Sequence, residues 1–379
     1  PTTTILYSFT GNSDCGEPFA TLTPGPNGVF YGFTSGGWAH CSNGALGGGV
    51  MFAMTPSEGT YVFSIVHTFA GNGDDVPSAP LTIGAAGAYY ALGNNDDCDD
   101  LEKLTPSGNG FKTTVAYTFS CADGYGYNPG MSIDTSGTIY GTNDNGGPHG
   151  AGIAYRLTPS GSTYVETVLH AFGSTGDGAY PDTTLTAGPN RTFYGTTAFG
   201  GKFGKGIAFE ISSSGAYRKL YDFGASRNGG TFPIGNLLID NSGNLYGETS
   251  EGGKSCPKSQ GCGTAYRLTR RGDAYAETTL HSFYAHGRLT APGLSGAGLT
   301  AEPDGELVGI FAGEQDRAWG VFALKPSGSG YDVDSTALGN SFSFINGPLV
   351  ATGKPGQYIG TTFYGGANGI GCVFSVTFR

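Results

Sequence analysis

Residues 237–253 read LLIDNSGNLYGETSEGG, and this stretch is the clearest copy of a unit that recurs along the whole chain. It contains a short apolar run, a turn built on Asn, Ser and Gly, and a second run in which an aromatic residue directly precedes glycine. Two further strand-like runs follow, so one unit has roughly 50 to 60 residues and four runs, as expected of a β-propeller blade. The unit occurs seven times in the 379 residues.

Two landmarks locate the copies. The second run carries an aromatic residue before glycine in Tyr31-Gly32, Tyr140-Gly141, Tyr194-Gly195 and Tyr246-Gly247. The fourth run ends in a pair of rings: Tyr7 with Phe9, His67 with Phe69, Tyr117 with Phe119, His170 with Phe172, Tyr221 with Phe223, and His281 with Phe283.

The copies are offset relative to the ends of the chain. The chain begins with a fourth run, Ile5 to Phe9, and ends with a third run, Cys372 to Phe378. The last blade therefore needs the N-terminal segment as its outer strand, which closes the ring and leaves only short blade edges exposed. We predict an all-β chain, with residues 1–379 forming one seven-bladed β-propeller closed by the N-terminal strand in the last blade.

Composition supports a β-rich globular protein and excludes some partners. The 69 Gly and 20 Pro residues are typical of many tight turns, and the 24 Phe and 22 Tyr residues supply apolar surface for a core. The formal net charge of −11 argues against nucleic acid and anionic membranes, because neutralising phosphates needs a basic face. We expect neither as a partner, and we expect a monomer.

The seven cysteines favour an oxidising compartment. Six of them lie in polar loops, and we predict three disulfides, with the pairing Cys256–Cys262 and, less directly, Cys15–Cys41 and Cys98–Cys121. The seventh, Cys372, lies in an apolar run and is expected to be a buried thiol. Together with the glycosylation sequon at Asn190, this pattern predicts a secreted, extracellular protein.

The longest loops are expected on one face. In a four-stranded blade the connections alternate between two ends, so the loop between runs two and three opens on the same face as the connection to the next blade. These loops hold the Gly-Gly segments, among them Gly146-Gly147 and Gly200-Gly201. Function on a rigid scaffold usually lies in such loops, so we expect the ligand on this loop-rich face.

The repeat resembles that of a known family. Leu-Tyr-Ser-Phe at 6–9, Asn-Leu-Tyr-Gly-Glu-Thr at 244–249 and Tyr-Arg-Leu-Thr-Pro-Ser-Gly at 155–161 look like the tandem repeat of the GloVer-type secreted proteins. This resemblance covers the whole chain and implies a secreted propeller. By architecture the chain is also similar to seven-bladed polysaccharide lyases of the ulvan lyase and rhamnose-glucuronate lyase types, which implies an acidic polysaccharide or oligosaccharide as substrate.

A lyase that acts on a uronic acid must neutralise the carboxylate, remove the proton at C5 and protonate the leaving oxygen. The connection into blade six supplies suitable residues in Tyr284, His286 and Arg288, and the same blade has Arg317 where other copies have Gly-Gly. We predict that Arg288 or Arg317 binds the carboxylate while Tyr284 and His286 share the proton transfers. The alternative is a solvated loop with an incidental ion pair to Asp316.

Two further histidines lie in equivalent loops of other blades. His149 in blade three and His40 in blade one, next to Trp38, are predicted to line a central pocket. A histidine pair suits acid and base roles because imidazole titrates near neutral pH. For each histidine alone, a plain surface position is the simpler interpretation.

Aromatic and cationic residues complete the predicted substrate site. Tyr125 and Tyr127, in the connection into blade three, offer stacking surfaces for a sugar ring, and Lys202 and Lys205 add positive charge in blade four.

Histidine also alternates with tyrosine at one position of the fourth run. His67, His170 and His281 share this position with tyrosines of other copies, which indicates a packing role. His170 is retained as a catalytic candidate because it shares blade three with His149.

No cofactor is required by this chemistry. The four aspartates Asp96, Asp97, Asp99 and Asp100 crowd the loop around Cys98 and leave a structural calcium ion open, although a solvated acidic turn is the simpler interpretation. Two other functions also stay open: a carbohydrate-binding lectin or adhesion propeller, and a glycoside hydrolase that uses two facing carboxylates.

Overall fold

The computed structural model describes residues 1–34, 48–69, 76–77, 79–84, 87–94, 99–120, 130–254, 263–283, 287–288, 298–313, 319–328, 330–339 and 342–378. Within these residues the strands form seven antiparallel sheets of four or five strands and one two-stranded ribbon. The prediction of an all-β, seven-bladed β-propeller is confirmed. We number the blades 1 to 7 in the order of their innermost strands.

The first three blades follow one another along the chain. Blade 1 consists of Pro18–Pro24, Phe30–Thr34, Val50–Ser57 and Thr60–Thr68. Blade 2 consists of Val76–Pro77, Thr82–Ile83, Tyr89–Asn94, Asp99–Ser107 and Gly110–Thr118. Blade 3 consists of Met131–Ile133, Ile139–Asn143, Ile153–Ser160 and Thr163–Ala171.

The next blades repeat this order. Blade 4 consists of Thr186–Ala187, Thr192–Thr197, Ile207–Ser212 and Tyr217–Asp222, with the ribbon Gly178–Ala179 and Phe199–Gly200 beside it. Blade 5 consists of Gly230–Ile239, Leu245–Gly252, Thr264–Arg271 and Ala274–Ser282. Blade 6 consists of Gly287–Arg288, Thr300–Ala301, Leu307–Gly313, Trp319–Ser327 and Gly330–Ala337. Two 3-10 turns, Pro26–Gly28 and Pro189–Arg191, precede the second strands of blades 1 and 4.

Blade 7 is built from both ends of the chain. Its strands are Phe342–Ala351, Gln357–Gly365, Cys372–Thr377 and Thr2–Ser8. The N-terminal strand pairs antiparallel with the C-terminal one, from Thr2 opposite Thr377 to Ser8 opposite Cys372. The first strand of the chain is therefore the outer strand of the last blade, as the offset of the repeats predicts.

The hydrophobic cores lie between neighbouring blades. Phe9 of blade 7 shares one core with Leu22 and Phe52 of blade 1, and all three are buried. The aromatic-glycine landmark has a packing cause here, because a Cβ atom on Gly195 would lie 2.6 Å from Cζ of the Phe209 ring. Glycine therefore makes room for the ring of the third strand.

Hydroxyl hydrogen bonds join the innermost strands of successive blades. Thr23 of blade 1 donates to the carbonyl oxygen of Leu81 at 2.7 Å. The same bond recurs in Thr82 to Met131, Ser132 to Leu185, Thr186 to Leu237 and Thr300 to Leu349. Blades 5 and 7 have Leu238 and Val350 at this position, and neither side chain carries a hydroxyl.

Two cysteines lie within the described residues. Cys372 is a free, buried thiol, as predicted, and Cys15 is disulfide-bonded. The three pairings stay predictions, because the other cysteines lie outside the described residues: Cys41, Cys98, Cys121, Cys256 and Cys262. The described part of the chain contains no helix with the length and apolar character needed to cross a membrane.

Candidate functional site

Four of the residues predicted for the site have described side chains: His149, His170, Lys202 and Lys205. Only the backbone of Arg288 is described, in the short strand Gly287–Arg288 that pairs with the strand Leu307–Gly313 of blade 6. The remaining predictions lie outside the described residues: Trp38, His40, Tyr125, Tyr127, Tyr284, His286 and Arg317.

His170 belongs to a polar cluster at the end of the outer strand of blade 3. Its Nε2 atom lies 2.9 Å from Oδ2 of Asp177, and its ring stacks on Tyr217 of blade 4 with 3.7 Å between ring centroids. The Tyr217 hydroxyl donates to Asp177 Oδ1 at 2.6 Å, and the backbone N–H of Gly178 donates to the same oxygen at 2.8 Å. These bonds favour the ionised carboxylate and lower the pKa of Asp177, although burial opposes them. The cluster anchors the connection from blade 3 to blade 4.

His149 and Lys202 are both exposed, in the loops between the second and third strands of blades 3 and 4. A Cβ atom on Gly173, two residues after the outer strand of blade 3, would lie 3.0 Å from the Cβ atom of His149. The backbone N–H of Lys202 donates to Asp222 Oδ1 at 2.7 Å, so this loop is fixed to its own blade. His149 and His170 thus share one end of blade 3, while Lys202 lies in the next blade.

A cleft of about 430 Å³ opens on the loop-rich face at blade 5. This volume falls in the range of about 300 to 1,000 Å³ that is typical of small-molecule sites. The cleft lies between the connection from blade 4, the loop after the second strand of blade 5 and the end of the outer strand. Its lining consists of Ser226, Asn228, Lys254, Glu277, Thr279, Leu280, His281 and Ser282.

His281 lines this cleft with an imidazole ring that has no hydrogen-bond partner in the described part of the chain. Among the described residues, none forms a hydrogen bond with its ring, whereas Nδ1 of the equivalent His67 lies 2.9 Å from the carbonyl oxygen of Phe111. Partial burial lowers the pKa of His281 below its usual 6.5, because desolvation disfavours the charged ring. A neutral imidazole at physiological pH can accept a proton from a bound molecule.

The two charged neighbours of His281 differ in their availability. Glu277 accepts a hydrogen bond from the Tyr221 hydroxyl at 2.8 Å and another from the backbone N–H of Gly230 at 2.7 Å, so it holds the connection between blades 4 and 5. Burial raises the pKa of Glu277. Lys254 is exposed, and within the described part of the chain its ammonium group is in no ion pair. The cleft therefore offers one neutral base and one available cation.

A pair of carboxyl groups lies at a second position, where blades 3 and 4 meet. Asp144 follows the second strand of blade 3, and Asp182 precedes the innermost strand of blade 4. The hydroxyl of Thr142 donates to the carbonyl oxygens of Pro181 and Thr183 at 3.1 and 2.9 Å, which fixes this segment against blade 3. Burial and the nearby Asp144 raise the pKa of Asp182 to about 6. Burial also raises the pKa of Asp144.

The predicted calcium loop is described only in part. Asp99 and Asp100 begin the strand Asp99–Ser107 and are buried, so for these two residues the interpretation as a solvated turn is wrong. The other acidic residues of that loop, Asp96 and Asp97, lie outside the described residues. Where side chains are described, no group of three or more His, Cys, Asp or Glu is placed to hold a metal ion. Calcium stays a prediction.

The cleft at His281 was missed by the sequence analysis. His281 shares its repeat position with His67 and His170, and that equivalence predicts packing for all three. The position does pack, with the His281 and Phe283 ring centroids 4.8 Å apart. What distinguishes His281 is the open space beside it. The sequence signal was the cationic Lys254 in the facing loop, where Lys202 stands in blade 4.

Solved structures with the same fold have diverse functions. An ulvan lyase of a new polysaccharide lyase family, bound to a repeat of glucuronic acid and 3-sulfated rhamnose, has 11% identity and a TM-score of 0.57, covering 96% of this chain and 93% of that chain. A putative 6-phosphogluconolactonase from Bacteroides uniformis has 14% identity and a TM-score of 0.53, covering 84% and 86%. Drosophila Plexin A in complex with Semaphorin 1b has 10% identity and a TM-score of 0.56, covering 99% and 87%.

At these identities the likeness shows the fold alone, because propellers host many unrelated functions. No curated protein matches the sequence of this chain. The model of one repeat family does match it, over residues 101–313, which is more than half of the chain. On this match the chain belongs to the Gloeobacter/Verrucomicrobia repeat family.

Proposed function

We propose that this protein is a secreted polysaccharide lyase that cleaves a glycosidic bond at a uronic acid by β-elimination in the cleft of blade 5. The observation that carries the proposal is the imidazole of His281, neutral and hydrogen-bonded to none of the described residues, beside the exposed Lys254 in a cleft of about 430 Å³. The ulvan lyase among the solved structures of this fold supports the same reaction class.

In the proposed reaction, the neutral His281 ring takes the proton from C5 of the uronate. The electron pair left at C5 forms the C4–C5 double bond as the C4–O4 bond breaks, and the leaving oxygen takes a proton. No oxidant or water is consumed. The base has to be neutral before the reaction, and the lowered pKa of His281 meets that requirement at physiological pH.

Lys254 is proposed to neutralise the uronate carboxylate. This interaction strengthens as charge moves from C5 onto the carboxylate in the transition state, so it contributes to the rate as well as to binding. The sequence predicts Tyr284 and His286 for the proton transfers and Arg288 for the carboxylate, and these residues follow His281 closely in the chain. With His281 as the base, we propose Tyr284 or His286 as the proton donor and Arg288 as a second cation. Ser226 and Ser282 line the cleft and offer hydroxyl groups to the sugar.

The proposal is tested by incubating the protein with uronate-containing polysaccharides and following two products in parallel. A rise in ultraviolet absorbance from an unsaturated uronate indicates elimination, whereas new reducing ends without that absorbance indicate hydrolysis. We expect elimination, and we expect His281→Gln to lower kcat by roughly 10² to 10⁴-fold, the usual contribution of a positioned base.

His67→Gln is the matched control, because His67 has the same repeat position in blade 1 but binds the Phe111 carbonyl oxygen. This variant should keep the wild-type kcat. Equal losses in both variants would assign the position to packing and remove His281 from the reaction.

Glycoside hydrolysis is the second candidate, and the carboxyl pair of blades 3 and 4 favours it. Asp182, with a pKa of about 6, suits a general acid, and Asp144 is close enough to perturb it. If reducing ends appear without unsaturated product, and Asp182→Asn abolishes them while His281→Gln does not, hydrolysis replaces elimination.

A further inference from the structure

Three aromatic rings form a row on the loop-rich face where blades 4 and 5 meet, and two of them are exposed while Phe232 is half-buried. The ring centroids of Tyr180 and Phe199 are 5.8 Å apart, and those of Phe199 and Phe232 are 5.4 Å apart. Tyr180 is 41% exposed and Phe199 is 40% exposed, whereas most aromatic rings of the described chain are buried between blades. We call Tyr180, Phe199, Phe232 and the adjoining Lys205 the aromatic platform.

The backbone beneath the platform does not favour aromatic residues. Tyr180 and Phe232 have φ values of 58° and 57°, in the left-handed region that bulky residues rarely adopt. The fold requires this conformation, because their backbone N–H groups donate to the carbonyl oxygens of Ala151 and Lys205 in the preceding blade, both at 2.9 Å. Glycine would satisfy this bond without strain. Two large rings at such positions therefore indicate a use for the side chains.

Positive charge adjoins the rings. Nζ of Lys205 lies 4.1 Å from the Phe232 ring centroid, and Nζ of Lys202, in the same loop, lies 5.4 Å from the Phe203 ring centroid. Neither lysine forms an ion pair with a carboxylate of the described residues, although the chain has a net charge of −11. The platform thus combines flat apolar surfaces with two available cations.

We infer that the aromatic platform is a glycan-binding subsite, separate from the cleft of blade 5, for a polysaccharide that carries carboxylates. The apolar C–H faces of the sugar rings lie on Tyr180, Phe199 and Phe232, and Lys205 pairs with a carboxylate. The ligand class rests on the proposed function, but the subsite itself rests on the platform residues.

Few cations on an acidic protein argue against single-stranded nucleic acid, and the exposed ring faces argue for a glycan. A nucleic acid carries one phosphate per nucleotide and is bound by a groove with many cations. The platform has Lys205 and, next to it, Lys202, on a protein that is acidic as a whole. An acidic polysaccharide presents an apolar C–H face on each sugar ring, which suits stacking on the three aromatic rings, and its carboxylates suit pairing with the two lysines.

Isothermal titration calorimetry with polyglucuronate tests the inference. All proteins carry His281→Gln, so the ligand is not consumed. We expect Phe232→Gly and Lys205→Gln each to weaken binding by at least about tenfold, which equals about 1.4 kcal/mol. A neutral glucan of equal length should bind the parent protein at least about tenfold more weakly than polyglucuronate does.

Glycine at position 232 keeps the test informative about the ring. It relieves the left-handed strain, so the variant should melt no lower than Phe232→Ala while it loses the same affinity. Val165→Ala is the control, because Val165 is an exposed apolar residue on the outer strand of blade 3. Its affinity should equal that of the parent.

Three outcomes decide the matter. Unchanged polyglucuronate affinity in Phe232→Gly and Lys205→Gln would overturn the subsite. Tighter binding of a single-stranded oligodeoxynucleotide, lost in the same variants, would also overturn it, in favour of nucleic acid. If the wild-type protein turns over no uronate polymer but platform variants still lose polyglucuronate binding, the lyase proposal fails and the subsite stands.

Discussion

Tyr7 and His170 have the same position in the outer strands of blades 7 and 3, and each binds an aspartate seven residues further along the chain. The Tyr7 hydroxyl donates to Asp14 Oδ2 at 2.6 Å, and His170 Nε2 lies 2.9 Å from Asp177 Oδ2. Both aspartates also accept a backbone N–H of their own connection, from Thr10 in one case and Gly178 in the other. One device therefore anchors two blade-to-blade connections, with two different rings.

This equivalence predicts that tyrosine can replace histidine at position 170. We expect His170→Tyr to keep the free energy of unfolding within about 0.5 kcal/mol of the wild type, because a phenol can bind Asp177 as Tyr7 binds Asp14. His170→Ala should lose about 1 to 3 kcal/mol, because it removes the ring stacked on Tyr217 and a hydrogen bond to a carboxylate. Urea denaturation measures both values.

The same variants test the catalytic role predicted for His170. If His170→Tyr is as stable as the wild type but loses turnover of the uronate polymer, His170 has a role beyond anchoring the connection. Equal destabilisation by His170→Tyr and His170→Ala would instead show that tyrosine cannot replace histidine at this position.

The lowered pKa of His281 predicts the acid limb of the rate profile. Below its pKa the ring is protonated and cannot take the C5 proton, so kcat/KM should fall only at pH values below the usual 6.5. The measurement is kcat/KM for formation of the unsaturated product between about pH 5 and about pH 8, a range that brackets the pKa of an ordinary histidine. An acid limb at or above 6.5 would mean that the titrating group is not a desolvated His281.

The repeat made the architecture predictable from the sequence, whereas the cleft was not predictable. The blade number and the origin of the last outer strand depend only on the order of runs, and Ile5 to Phe9 matches the other fourth runs closely. The cleft depends on what surrounds one copy of a repeated position. His67, His170 and His281 look alike in sequence, but they face a carbonyl oxygen, a carboxylate and open space respectively, and these partners come from other parts of the chain.

Glu248 shows the same limit at a buried position. It replaces the threonine found at Thr142 and Thr196, and its carboxyl group is buried against blade 6, where it accepts the N–H of Gly298 at 2.9 Å. Among the residues that the structure describes, none forms a hydrogen bond with the second carboxyl oxygen, Oε1. The sequence places a charged residue in a strand, but only the packing of the next blade determines that it is desolvated.

This burial predicts a specific pH dependence of stability. Desolvation raises the pKa of Glu248 from about 4.5 to about 8, so the folded protein keeps the group neutral at pH 7 while the unfolded chain ionises it. The stability contributed by neutral Glu248 is therefore fully present below pH 4.5, and the free energy of unfolding falls as the pH rises from 4.5 to about 8. Glu248→Gln, which cannot ionise, should remove this loss.

The measurement is urea denaturation of the wild type and Glu248→Gln at the two ends of that range. We expect the variant to be close to the wild type at the acidic end and clearly more stable at the alkaline end. Comparing the two proteins cancels the titration of other buried groups, such as Glu277. A stability difference that is the same at both ends would show that Glu248 is ionised in the folded protein.

The closure of the ring predicts the reactivity of Cys372. This thiol lies in the strand Cys372–Thr377, opposite Ser8 of the N-terminal strand, and it is fully buried. Burial raises its pKa to about 11, so both access and ionisation limit its reaction with a thiol reagent. Ile5→Pro removes a backbone donor from the strand that covers it, opposite Phe374.

We expect Ile5→Pro to raise the labelling rate of Cys372 by at least about tenfold, since labelling follows local opening of the outer strand of blade 7. Peptide mapping after labelling assigns the modified cysteine, with Cys372→Ser as the control for assignment. Val62→Pro, at an exposed position of the outer strand of blade 1, is the matched variant that should leave Cys372 protected. Equal protection in both proline variants would mean that the N-terminal strand does not hold the last blade closed, because a strand that seals the ring has to be the barrier to this thiol.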